Sequence, residues 1–98
     1  MKLTEELLET IGEEVEDELD LLTEEYEFEF TSSISPRMKA NKKGGYDITV
    51  GLEYITTDDG EGHNDTYKVL GVTDDKIPGL VEFMVDGIIN TIRPDDEE

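Results

Sequence analysis

The residues best supplied to do chemistry in this 98-residue chain are carboxylates: 27 Asp and Glu stand against 8 Lys and Arg, a formal net charge of −19. Carboxylates in pairs can serve as general acid and base, but that work needs two environments that push their proton affinities apart. A supply this dense singles out no pair. His63 is the only histidine and there is no cysteine, so the sequence offers no second nitrogen or sulfur ligand for zinc and no thiol nucleophile. No nucleophile-elbow motif is present. The stretch DDGEGHND, residues 58–65, invites a calcium reading. Counted from Asp58, Asp59 or Glu61, it fails the ligand spacing of a calcium-binding loop. Gly60 and Gly62 are followed by no basic residue before Lys68, so no phosphate-cradling loop is formed. No catalytic, metal-binding or cofactor-binding residue is assigned, and the chain is read as a non-enzyme.

What remains is where the charge lies. Residues 1–30 hold 13 acids and one lysine, net −12; residues 31–57 are net +2, residues 58–77 net −4 and residues 78–98 net −5. Leu3, Leu7, Leu8, Ile11, Val15, Leu19 and Leu22 recur at helical steps, which predicts a helix over residues 4–24 with Thr4 as N-cap. On its wheel the apolar side chains fill a sector about 160° wide that also takes in Glu14 and Glu18. Opposite it, Glu5, Glu16, Glu9, Asp20, Glu13, Glu6, Glu24 and Asp17 follow one another across about 120°. From Glu5 to Asp20 the helix carries nine acids, Glu14 and Glu18 included, about one charge per 2.5 Å of axis, against about one per 1.7 Å for duplex DNA. Like charges four apart destabilise a helix by a few tenths of a kcal/mol per pair, and no lysine is interleaved to relieve them. These eight acids are the candidate partner-binding residues.

The remaining elements must position that ridge. Tyr26, Phe28 and Phe30 alternate with polar residues as a half-buried strand ending at Pro36. A loop follows from Pro36 to Gly45 and carries the basic residues Arg37, Lys39, Lys42 and Lys43. Tyr46, Ile48, Val50, Leu52 and Tyr54 mark a second strand, and residues 58–65 a turn. A third strand runs over residues 66–73, with ambiguous phase and a bulge at Gly71. A second helix begins at Pro78, carries Leu80, Val81, Phe83, Met84, Val85, Ile88, Ile89 and Ile92 on a broad apolar face, and stops at Pro94. The expectation is a single α+β domain over residues 1–93, α-β-β-β-α, with a three-stranded antiparallel sheet covered on one face by two helices. An acidic disordered tail over 94–98 completes it.

Composition narrows function. The start shows no secretory pattern, and the most apolar stretch, 77–92, is too short to span a bilayer; a cytoplasmic protein is expected. Direct binding to nucleic acid is excluded by charge. The element order is that of double-stranded RNA-binding domains, but the second helix lacks their lysine cluster. Lysine outnumbers arginine six to two and alanine occurs once, which runs against general salt adaptation as the source of the acidity. In charge density, size and element order the chain resembles the DNA-mimic inhibitors that phages use against restriction and CRISPR effectors. The resemblance implies a small non-enzymatic domain that occupies the basic site of a nucleic-acid-binding protein, as monomer or homodimer and without cofactors. Two alternatives stand beside it: by the same features, an immunity protein against a basic nuclease toxin, and, from the broad apolar face of the second helix, an acidic chaperone or virion subunit that self-associates through apolar surface.

Overall fold

Periodicity places the long elements; local chemistry decides where they stop. The computed structural model describes residues 3–93, so the expected tail over 94–98 lies outside the described residues. The first helix (α1, Glu5–Asp20) starts where Thr4 accepts a hydrogen bond from the Leu7 amide at 3.1 Å. It ends four residues earlier than its periodicity suggests. The chain turns at Leu21 and Leu22 and resumes as one short helical turn (α2, Thr23–Tyr26). Glu27 then adopts the left-handed conformation, φ 57°, and this reversal makes Phe28, not Tyr26, the first residue of the strand.

Four strands form one antiparallel sheet: β1 (Phe28–Phe30), β2 (Arg37–Ala40), β3 (Tyr46–Thr56) and β4 (Glu61–Val72). The sequence assigns residues 37–40 to a loop; they are β2. β4 pairs with β3 from Thr56↔Glu61 to Tyr46↔Val72. On the other edge of β3, β1 covers Tyr54–Thr56 and β2 covers Tyr46–Thr49. β1 and β2 are therefore two halves of one interrupted strand, and the expected three-rank meander has its first rank broken. Six residues, 31–36, cross a span where β3 has four, 50–53. The surplus buries Ile34 and presses Pro36 onto α1 at Gly12, where a Cβ would lie 2.8 Å from Pro36 Cδ. The acidic turn is also shorter than expected: β4 begins at Glu61, so most of residues 58–65 are strand.

The bulge expected at Gly71 is present. Leu70 and Gly71 together face Asp47, and Gly71 has φ 69°. The extra residue resets the alternation, so Val69 and Val72 both enter the core while Leu70 points outward. Along β3, Ile48, Val50, Leu52, Tyr54 and Thr56 are buried and the intervening residues are not, so one sheet face is covered and the other open. Both helices lie on the covered face: α1 packs along the last helix (α3, Leu80–Ile92) and against β2, and α3 packs against β4. A 3₁₀ turn, Asp74–Gly79, holds Pro78 and precedes α3.

Arg93, just past α3, donates to the carbonyl oxygens of Tyr26 and Glu27 at 2.9 and 3.1 Å. That contact ties the end of α3 to the end of α2, just beyond α1, so α1 and α3 run in the same direction. The apolar face of α3 is narrower than the sequence suggests, because Phe83 is 59% exposed on the side that carries Asp86 and Asn90. Among the described residues no helix is long and apolar enough to cross a membrane.

Candidate functional site

Glu5, Glu6, Glu9, Glu13, Asp17 and Asp20 are exposed along α1, and Glu16 is half-buried at its edge. Glu24 is exposed too, but it belongs to α2. The turn at Leu21–Leu22 takes it off the wheel on which the sequence placed it. Glu14 and Glu18, which the wheel put inside the apolar sector, are exposed. Leu7 and Leu22 are only half-buried, so the buried arc is narrower and centres on Leu8, Ile11, Gly12, Val15 and Leu19. The acidic surface of α1 is correspondingly wider than the eight candidates alone.

The ridge borders a cleft of about 740 Å³. Glu5, Glu6, Glu9, Glu13 and Glu16 line one side, and Ser33, Ser35, Pro36, Arg37 and Met38 the other, with Leu8, Gly12 and Ile34 between. The strand interruption makes this cleft, since residues 31–36 leave the sheet and fold against α1. Sequence reasoning missed it. The available signal was Gly12, a residue without a side chain in the middle of an otherwise large apolar stripe, together with Pro36.

Among the described residues the only ion pair is Arg93–Asp58, at 2.8 Å. That contact holds the Arg93 pKa above its ordinary value. Among the described residues no cation pairs with the ridge carboxylates, and Arg37 lines the cleft without pairing to them. A row of exposed, unpaired carboxylates on a rigid scaffold projects its field outward and steers positively charged partners.

The other residues weighed for chemistry have structural partners. Thr56 is buried and hydrogen-bonds to Asp59, with His63 Nε2 3.2 Å from its oxygen. His63 stacks on Tyr54 at 5.1 Å between ring centroids. The Tyr54 hydroxyl donates to Asp65 at 2.6 Å. Burial first, then that hydrogen bond and the Asp65 charge, push the Tyr54 phenol up to about 12. The Thr56 hydroxyl and the Glu61 amide hold the Asp59 carboxyl below the usual carboxylate range. Asp47 is lowered by the Asn41 side-chain amide and then the Gly71 N–H, so it clamps the bulge. No group of three or more His, Cys, Asp or Glu side chains among the described residues is arranged to hold a metal ion. Of the basic residues, Arg37 and Lys39 lie on β2 and Lys42 and Lys43 in the turn beyond it. The aromatics face the helix-covered side of the sheet or its border, with Phe28 and Tyr54 buried and Tyr26, Phe30, Tyr46 and Tyr67 packed against the core. Comparison with protein-family models, curated proteins and solved structures returned no match to this chain.

Proposed function

We propose that the chain is a non-enzymatic acidic binding protein whose α1 face occupies the nucleic-acid-binding surface of a basic partner, in the manner of a DNA mimic. One observation carries the reading. The acids from Glu5 to Asp20 line the solvent side of one helix, and among the described residues no basic side chain pairs with any of them. A surface kept only for solubility gains nothing from excluding lysine, since interleaved Glu–Lys pairs would stabilise the helix. The cleft beside the ridge adds a partly apolar floor on which the stem of an incoming Arg or Lys can lie while its head meets Glu9 or Glu13. Such a partner class includes CRISPR effectors, restriction enzymes, nucleases and polymerases. The reading of a self-associating chaperone or virion subunit drew on a wide apolar face of the second helix; of its apolar residues only Phe83 is strongly exposed.

The test is charge reversal of Glu5, Glu9, Glu13 and Asp17 to lysine, with binding measured against basic partners recovered from a lysate at two salt concentrations. At about 0.5–1 kcal/mol per exposed contact, the fourfold variant loses roughly 30- to 10³-fold in affinity. Wild-type binding falls steeply with salt, because exposed charges are screened over about 10 Å at 0.1 M. Unchanged affinity in the variant would sink the reading.

A further inference from the structure

We infer that β4 is a dimerisation edge, on which a second copy of this chain adds its own β4 antiparallel. β4 is twelve residues long and among the described residues pairs only with β3, so one edge of it carries main-chain groups that no described strand pairs. Alternation says which ones. Glu53 accepts from the Thr31 amide on the β1 side, so Val50, Leu52 and Tyr54 point toward β4 and engage Tyr67, Asp65 and His63. The N–H and C=O groups of Gly62, Asn64, Thr66 and Lys68 therefore point outward.

The side chains around this edge select the occupant and the register. Leu21, Leu70 and Phe83 are the large exposed apolar residues among those described, and two of the three flank β4. Leu70, 70% exposed, lies on the open sheet face. Phe83 lies one turn before Gly87, the point where α3 touches Tyr67 of β4. A two-fold axis at Thr66 sets Leu70 of each copy opposite Gly62 of the other, where nothing lies within 4 Å of a built Cβ and Ile55 is the neighbour on β3. The same axis sets Lys68 opposite Asn64, whose neighbour on β3 is Glu53. The lysine and Glu53 are then about 10 Å apart at Cα, two strand spacings, within reach of an ion pair across the interface. An axis at Lys68 would oppose like charges, and one at Asn64 would leave Leu70 uncovered.

Net charge does not forbid the pairing. Between Gly62 and Leu70 the edge holds one acid and one base, Asp65 and Lys68. The acidic ridge lies on α1, which packs on β2 at the opposite border of the sheet. A ladder of this length, with Leu70 covered, buries on the order of 1,000 Å² in total, the lower bound for a specific dimer.

Sedimentation equilibrium of the full chain tests this. The expected result is a dimer that tightens as salt rises, because added salt screens the repulsion between two acidic chains. Thr66→Pro removes only an outward N–H, as an edge strand tolerates, and is expected to be monomeric with unchanged circular dichroism. Leu70→Lys is a second route to the monomer that leaves the main chain intact. A wild-type chain that stays monomeric at about 1 mM, where even weak contacts are populated, would overturn the proposal. So would a folded Leu70→Lys variant that dimerises as wild type does.

Discussion

Gly87 shows how one missing methyl group fixes the packing of a helix on a sheet. A Cβ there would lie 2.2 Å from the Tyr67 hydroxyl oxygen, so alanine, the better helix former, must displace the Tyr67 ring. Gly87→Ala is expected to cost about 1–3 kcal/mol as overpacking, and less in a Tyr67→Ala background; urea midpoints of the four chains separate the two effects. Glu27 is the opposite case, a side chain where the backbone favours none. Its left-handed φ is retained because its carbonyl oxygen accepts from both Thr57 and Arg93. Glu27→Gly removes the conformational penalty and keeps both bonds, so it is expected to stabilise by about 1 kcal/mol. Tyr54 gives the chain an alkaline limit. A phenol raised from about 10 in the unfolded chain to about 12 in the fold contributes fully below the first value. That contribution is lost as pH rises through the second. Stability followed from pH 9 to 12 should fall in wild type and fall less in Tyr54→Phe.

At the scale of elements, α1 carries an avoidable repulsion. Glu13→Lys would face Glu9 and Asp17 at four-residue steps and is expected to raise stability by about 0.3–1 kcal/mol. The same substitution would weaken partner binding. A thermal melt and a binding assay on this one variant test whether the helix gives up stability for recognition. Its periodicity and its cap at Thr4 were legible in the sequence because apolar spacing and N-cap chemistry are local. So were β3 and the bulge at Gly71. The interruption between β1 and β2 was not: Ile34 and Pro36 are placed by Gly12, some twenty residues away, and no local pattern records that contact. β4 was read too short because its first half is rich in Asp, Asn and Gly, the composition of a turn. Hydrogen bonds from Thr56 and Tyr54 to Asp59 and Asp65 hold the hairpin there, and these too join residues that local patterning treats separately. Most of the candidate ridge was legible, while the cleft beside it was not.

For the molecule as a whole, charge opposes folding and is spread unevenly. With one ion pair among the described residues and a net charge of −19, the fold is under self-repulsion that salt relieves. The melting temperature is expected to rise by several degrees, about 1 kcal/mol for a domain of this size, between low and molar salt. Partner binding through the ridge should weaken over the same range. A melting temperature that falls with salt would mean the charges are arranged in net attraction. The two trends separate the role of the charge in the fold from its role on the surface.

The parallel pairing of α1 with α3 has a consequence for the order of events during synthesis. The first helix leaves the ribosome before any of the sheet it will cover exists, and its lateral partner, α3, follows all four strands. The β3–β4 hairpin can close on its own contacts, whereas α1 must wait for α3 beyond all four strands, a non-local docking of the kind that slows folding. Throughout that interval the apolar stripe of α1 is uncovered in a crowded cell, and transiently exposed surface of this kind is what aggregates. The same carboxylates that face outward in the finished domain then act as a built-in solubiliser for the nascent chain.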